Sequence, residues 1–239
     1  MRATTVPRLW FFLILGLFVC SVGFNIYYLR EQRNHFRVVQ VFDGDSFLLA
    51  DGRRIRLLSV DAPERGRCMA DEARNQLTAL LLGRVVRIKD LVIDSYGRTL
   101  ANVIVEPTLF EWGTYVFGRF QSLFSHTSYA PMGYINGVMI REGLAQNIHV
   151  GTNYNTVLDD YGETAKSMQL GIYSSACRQM TAPTSCTIKG NIRAGVRQYY
   201  LPICKYYVQT IVDLSYGDQW FCTEVEAIQA GFEKAERCE

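Results

Sequence analysis

The sequence has little net charge. Its 239 residues carry 25 Lys and Arg against 23 Asp and Glu, a balance of +2 at pH 7. A value this small excludes a strong positive field over the whole chain, of the kind that draws a protein to polyanions. Any positive field must therefore be local to a cleft. Since 49% of the residues are hydrophobic, the chain can still bury an ordinary core.

A second absence is that of charged side chains between residues 9 and 29. At about 1.5 Å per residue this apolar run spans roughly 30 Å, the thickness of a bilayer core. Trp10, Tyr27 and Tyr28 lie near its two ends, as interfacial aromatics do. Because no small-x-small cleavage site is visible, the run predicts an uncleaved transmembrane anchor at 9–29, with a signal peptide as the alternative.

Two opposing features indicate the side of the membrane on which the body lies. More arginines follow the run than precede it, which favours a cytoplasmic body. Apart from Cys20 inside the run, the other six of the 7 cysteines form an even number, which fits disulfides in an oxidising compartment. Buried free thiols are the alternative. We predict a single-pass membrane protein with an extracytoplasmic body.

The most informative stretch is residues 38–64, VVQVFDGDSFLLADGRRIRLLSVDAPE. Two short β-rich runs flank the Asp-Gly pair at 51–52, which is a strong hairpin signal because a type I′ turn needs positive φ at both central positions. With this pair as the turn, Phe47 lies opposite Arg56. Asp45 is then a diagonal neighbour of Arg56, roughly 7–8 Å away between backbones.

The hairpin collects charged side chains on one face. Pro63 ends the second run and holds a carboxylate on either side, at Asp61 and Glu64. Together with Asp45 and Arg56, these form either surface ion pairs on a solvated hairpin or a cation site beside a phosphate clamp. Carboxylate oxygens suit Ca²⁺ or Mg²⁺, and the guanidinium fork suits phosphate.

Three sequence motifs, in the same order along the chain as in a known family, indicate a resemblance to that family. DGDSF at 43–47, IRLLSVDAPE at 55–64 and DSYGRTLA at 94–101 resemble the staphylococcal nuclease (thermonuclease) family, over residues 38–173. The resemblance implies a mainly β protein with helices (β+α), an OB-fold five-stranded barrel with packed helices. Short strands with an inserted helix also fit such a barrel.

The resemblance also implies a site and a chemistry. The family's metal ligands fall on Asp45, Asp61 and the backbone carbonyl of Ala62, with Ca²⁺ as the metal. Its catalytic side chains fall on Arg56 and Arg98, which bind phosphate, and on Glu64, which serves the attacking water. These roles predict a metal-dependent nuclease that hydrolyses phosphodiester bonds of DNA or RNA.

Two alternatives stay open. One is an OB module that binds nucleic acid without cutting it, although such a module has no need of the complete charged set. The other is an envelope-anchored interaction protein. The predicted partners are DNA or RNA, and the membrane through residues 9–29; the sequence does not identify any protein partner.

The resemblance is incomplete at three positions. His149 and Gly151 stand where the family commonly has tyrosines that stack on the nucleotide base, and Tyr154 is the candidate substitute. Ser95 stands where the family has a lysine before its second phosphate arginine. We therefore expect weaker base stacking and weaker phosphate binding than in the family pattern.

The remaining segments have no assigned chemistry. Residues 106–133 form an aromatic-rich insert, interpreted as extra packing, a lid at the cleft or a membrane-touching surface. Residues 186–239, with IKGNI, WFCTEVEA and AGFEKA, resemble the sunset domain found behind some bacterial nuclease domains. The cysteines of this region lack paired CxxC spacing, so two disulfides are predicted, with a zinc site as the alternative; they are Cys186, Cys204, Cys222 and Cys238.

The predicted organisation is one ordinary domain plus a small second one. It runs in order through a tail at 1–8, the anchor at 9–29, a linker at 30–37, the nuclease-like domain at 38–173, a linker at 174–185 and the cysteine-rich domain at 186–239.

Overall fold

A computed structural model of the protein describes residues 8–34, 36–105, 133–150, 154–182, 185–236 and 238. The predicted insert at 106–133 lies outside these ranges except for Gly133, as does Gly151.

The first helix, α1, runs from Arg8 to Asn34. Within the described part of the chain, no helix combines the length and the apolar character that a membrane crossing requires. The anchor predicted at 9–29 is therefore wrong, and with it the single-pass membrane localisation and the membrane contact.

A closed sheet follows α1. Its strands are β1 (Val38–Val41), β2 (Ser46–Leu49), β3 (Arg54–Leu57), β5 (Val86–Ile93) and β6 (Thr99–Val105), in the order β1-β2-β3-β6-β5. An antiparallel bridge between Arg37 and Val85 joins the two edges. The five strands thus close into a barrel, and the mixed β+α class is as predicted.

The β2–β3 hairpin differs from its predicted register. Its connection covers residues 50–53 rather than a two-residue turn, and Gly52 alone has a positive φ, 88°. Arg56 consequently pairs with Ser46, while Phe47 pairs with Ile55. The reason is burial, because Phe47 and Ile55 are both 0% exposed and must share the inner face.

Short elements complete the barrel domain. They are β4 (Val60–Asp61), α2 (Ala70–Leu81), α3 (Ile135–Arg141), β7 (Gln146–Asn147), α4 (Asn155–Ser167) and a 3₁₀ turn (Gly171–Tyr173). Strand β4 pairs antiparallel with β7. Helix α2 buries Ala73, Leu77 and Leu81, whose spacing of four places them on one face against the barrel.

A second unit has its own sheet and core. Its strands are β8 (Arg178–Gln179), β9 (Ile188–Arg193), β10 (Val196–Tyr200), β11 (Val212–Asp213), β12 (Gln219–Phe221) and β13 (Glu233–Lys234), with helix α5 (Glu224–Gln229). The sheet order is β12-β9-β10-β13, and β8 pairs with β11. Phe221 and Phe232 meet edge to face in the core at 5.2 Å between ring centroids.

Disulfides hold this unit and join it to the barrel. Cys186 is joined to Cys222, and Cys204 to Cys238. A third bond links Cys68, just before α2, to the buried Cys177. The sequence alone assigns no partner to Cys68 or Cys177. Beside this bond, the amide of Cys68 donates to the carbonyl of Leu214 at 3.3 Å, so the second unit packs next to the segment that follows β4.

Candidate active site

The centre of the site is a guanidinium shared by two carboxylates. Arg56, on β3, places Nη1 2.6 Å from Oδ1 of Asp45 and Nη2 2.6 Å from Oδ1 of Asp61. Asp45 ends the loop before β2, and Asp61 ends β4. The loop before β2, strand β3 and strand β4 thus bring the three side chains together, and the planar fork of Arg56 is shaped for two acceptors at once.

The loop before β2 is held tightly against its surroundings. Asp43 accepts hydrogen bonds from the amide of Asp45 at 3.2 Å and from the hydroxyl of Ser46 at 2.7 Å. A Cβ on Gly44 would lie 2.6 Å from the Cβ atoms of both Ala62 and Ala73. Only glycine allows this close approach, which sets Asp45 against the segment after β4.

Asp45 is the most perturbed carboxylate of the site. Its side chain is 3% exposed, and Oδ2 accepts a hydrogen bond from the amide of Ala62 at 3.1 Å. Burial raises the pKa of Asp45 to about 7, while Arg56 opposes the rise and Asp43 adds to it. One guanidinium divided between two carboxylates therefore compensates the buried charge only partly.

Glu64 lies at the mouth of the same site. It is exposed, and it lines a cleft of about 320 Å³ together with Asp61 and Ala62. An exposed carboxylate beside a cleft has access to water, as a water-orienting group requires.

Arg98 is placed differently from the other predicted residues. Its Nε lies 2.6 Å from Oδ2 of Asp94, and its side chain is 51% exposed. The hydrogen bond that Arg98 donates to Asp94 is the first cause of a raised pKa at Arg98, and the charge of Asp45 also contributes. Arg98 thus lies within electrostatic range of Asp45 while its guanidinium pairs with Asp94.

The donor set fits a hard cation. Asp45, Asp61 and the carbonyl of Ala62 offer only oxygen, which Ca²⁺ and Mg²⁺ prefer. Over the described residues, no cluster of three or more His, Cys, Asp or Glu side chains is spaced to hold a metal ion, so side chains alone supply two ligands here. The raised pKa of Asp45 is the observation that fits a metal, because a second cation would stabilise this buried anion.

His149 and Tyr154 contact groups other than the Asp45–Arg56–Asp61 cluster. His149 pairs with Asp159 at 2.7 Å between Nε2 and Oδ1. Tyr154 packs on the barrel core against Tyr134, with ring centroids 4.8 Å apart. This packing accounts for Tyr154 as core material, so its expected role as a substitute base-stacking residue gains no support.

The other wall of the cleft is absent from the sequence-based site. Arg67 adjoins Glu64 along the chain, whereas Ile192, Arg197 and Tyr216 come from the second unit. The sequence gives one indication of this wall, which is that Arg67 follows Glu64 by three residues. Nothing in the spacing of the second unit indicates that it faces the cleft.

Comparison with known proteins supplies an independent finding. The family model for staphylococcal nuclease homologues matches residues 54–175. A micrococcal nuclease of Shigella flexneri is 28% identical over 141 residues, which cover 57% of this chain and 72% of that protein. An uncharacterized endonuclease of Escherichia coli O157:H7 is 31% identical over 148 residues, covering 59% and 78%. A probable endonuclease LCL3 of Eremothecium gossypii is 44% identical over 71 residues, covering 25% and 26%.

Proposed function

We propose that this chain, which belongs to the staphylococcal nuclease homologue family, is a metal-dependent endonuclease that hydrolyses phosphodiester bonds of DNA or RNA. Its relatives are named as nucleases and endonucleases, which supports the hydrolase class. The observation that carries the finer proposal is the fork of Arg56 between Asp45 and Asp61, with Glu64 lining a cleft together with Asp61.

The arginines act on the phosphate. Arg56 donates to both carboxylates in this structure, and its planar fork would serve phosphoryl oxygens in the same way when Asp45 and Asp61 hold a cation. Arg98 is exposed and lies on a turn, where exchanging Asp94 for a phosphate needs only a side-chain movement. Planar donors stabilise the charge that grows on the phosphoryl oxygens in the transition state.

Glu64 serves the attacking water. Its exposed carboxylate on the cleft can accept or orient a proton of that water as the oxygen approaches phosphorus. Since Glu64 has no part in the Asp45–Arg56–Asp61 cluster, its substitution should leave that cluster intact.

The metal, Ca²⁺ by family resemblance, would be held by Asp45, Asp61 and the backbone carbonyl of Ala62. When bound, it would act as a Lewis acid towards a phosphate oxygen.

We also propose that residues 38–173 are the nuclease domain and that 186–239 are a separate sunset-like domain. Their separate sheets and cores support this division.

Digestion of plasmid DNA and of RNA by the full chain, with Ca²⁺ or with chelator, tests the proposed function. We expect internal cleavage that stops in chelator and is lost in Glu64→Gln. Tight binding of both polymers without cleavage, at any divalent ion, would instead identify a non-catalytic binding module.

A further inference from the structure

The cleft beside Glu64 continues into a larger cavity. The first has a volume of about 320 Å³ and the second about 960 Å³. Gln146, Ile192 and Tyr216 line both. One groove therefore runs from the proposed catalytic carboxylates across the second unit, and we call it the C-terminal groove.

Arginines are distributed along this groove. Arg67 and Arg197 line its first part, and Arg178 and Arg193 line its second. Arg67 is held against the second unit, because a Cβ on Gly217 would lie 3.2 Å from its Cζ. The Nε of Arg178 is buried without a hydrogen-bond partner and lies 3.6 Å from a carboxylate oxygen of Asp213.

The acids of the second part are engaged in holding the backbone. Asp218 accepts from the amide of Ile192 at 2.7 Å and from the side chain of Asn191 at 2.8 Å. Asp213 accepts from the amide and the hydroxyl of Ser215, at 3.1 Å and 2.5 Å. Their charges are thus tied to the loop, whereas Arg193 extends from the exposed end of β9.

Tyrosines line the same groove as these arginines. Tyr216 is 41% exposed and lies where the two cavities meet, and Tyr206, in the second, is 38% exposed. Aromatic faces interleaved with cations are the arrangement by which proteins hold unpaired nucleic acid, since every base can stack and every nucleotide carries a phosphate.

We propose that the C-terminal groove binds the single strand of nucleic acid next to the bond being cut. Arg67 and Arg193 contact its phosphates, and Tyr216 stacks on a base. The assignment to a single strand follows from Tyr216, because a ring can stack only on a base that is free of its own stack. This inference rests on the proposed function for the placing of the cut, but binding to the groove is measurable without any cleavage.

Binding is tested with the full chain in chelator, which keeps the strand intact. The probes are fluorescein-labelled 12-nucleotide oligothymidine and oligouridine, followed by anisotropy. Tyr216→Ala should weaken binding roughly 5- to 150-fold, the range for one lost base stack, while Tyr216→Phe keeps the ring and should bind as the wild type does. Arg74→Ala, an exposed arginine of α2 that lines neither cavity, is the control and should change nothing.

Salt dependence tests the phosphate contacts. We plot the logarithm of the association constant against the logarithm of the salt concentration. Each of Arg67→Ala and Arg193→Ala should make this slope less steep by about 0.7, the value for one phosphate of a single strand. Arg193 is preferred to Arg197, whose guanidinium also donates to the carbonyl of Ala230. Unchanged slopes and unchanged binding by Tyr216→Ala would overturn the proposal.

Cleavage assays distinguish a failure of the groove proposal from a failure of the proposed nuclease function. Tyr216→Ala should lower kcat/KM for the 12-mer at least about 5-fold, and by more than for a dinucleotide, which is too short to occupy both parts of the groove. An equal loss on both substrates would overturn the groove. If the wild type cleaves neither substrate yet Tyr216→Ala still weakens binding, the groove stands and the proposed nuclease function fails.

Discussion

Arg56 and Asp45 are in contact although they do not face one another across the hairpin. Nη1 of Arg56 lies 2.6 Å from Oδ1 of Asp45, while the cross-strand partner of Arg56 is Ser46. The guanidinium therefore reaches past its partner to the residue before β2. This diagonal reach frees its second nitrogen for Asp61 on the other side.

Removing the guanidinium fork of Arg56 should strongly lower turnover. Arg56→Ala deletes a donor pair that no other side chain of the cluster replaces, and we expect kcat to fall roughly 10²–10³-fold. Arg56→Lys should recover little, because a point charge cannot serve two acceptors in a plane. Steady-state kinetics on a labelled oligonucleotide measures both, with circular dichroism to show that the fold is retained. Near-normal turnover by Arg56→Ala would mean that the site lies elsewhere.

Calcium should distinguish the carboxylates from the arginine. Asp45→Asn weakens one proposed ligand, so part of its lost activity should return at high Ca²⁺. Arg56→Ala should show no such return, since it removes no ligand. Titration of activity against Ca²⁺ for both variants measures the contrast; equal rescue of the two would contradict the assigned roles.

Glu64 should contribute to rate without contributing to binding. Glu64→Gln keeps the shape but cannot accept a proton, and turnover should drop roughly 10²–10⁴-fold if Glu64 is the general base. Strand affinity in chelator should stay the same. Glu72→Gln, also exposed but on the first turn of α2, is the matched control. An equally large loss of turnover in Glu72→Gln would show that the effect of Glu64→Gln does not depend on the position of Glu64 at the cleft.

Stability without metal should depend on pH through Asp45. Burial raises its pKa from 3.8 to about 7, so between these values the folded protein binds more protons than the unfolded chain. The free energy of unfolding should therefore fall as pH rises from about 4 to about 7, by at most roughly 4 kcal/mol. Urea unfolding in chelator measures it, and Asp45→Asn should flatten the profile. If the free energy of unfolding of the wild type and of Asp45→Asn varied with pH in the same way, the raised pKa of Asp45 would be contradicted.

The bond between the barrel and the second unit should stabilise both. Cys68 and Cys177 are 109 positions apart, so their bond closes a long loop of the unfolded chain. The double substitution Cys68→Ala with Cys177→Ala should lower the free energy of unfolding by about 2–5 kcal/mol. It should also impair the C-terminal groove, whose walls come from both units. Cys204→Ala with Cys238→Ala, inside the second unit, is the comparison in urea unfolding and in strand binding.

The local part of the site could be predicted from the sequence. Asp45, Arg56, Asp61 and Glu64 lie within one short stretch, and strand alternation with a nearby turn is enough to bring such residues together. The register of the hairpin could not be predicted, because Phe47 and Ile55 had to be buried on the same face and the connection lengthened to allow it.

The distant part of the site was beyond sequence pattern. Tyr216 and Arg197 reach the cleft only because the second unit packs on the segment after β4. Contacts between residues so far apart in the sequence produce no periodicity or spacing from which they could be predicted. The disulfide between Cys68 and Cys177 is a contact of this kind. The long-range packing, rather than the motifs, decides what lies opposite Glu64.

The bond from Cys68 to Cys177 also makes the segment between them a covalent ring. Arg98 lies inside this ring, whereas Arg56 and Glu64 lie on the chain that enters it. A protease that cuts once anywhere inside the ring cannot separate these residues, since the two pieces stay tied through sulfur. The nicked protein would migrate as one species without reductant and as two with it, so the two proposed phosphate-binding arginines, Arg56 and Arg98, would stay in one covalently linked molecule after the cut.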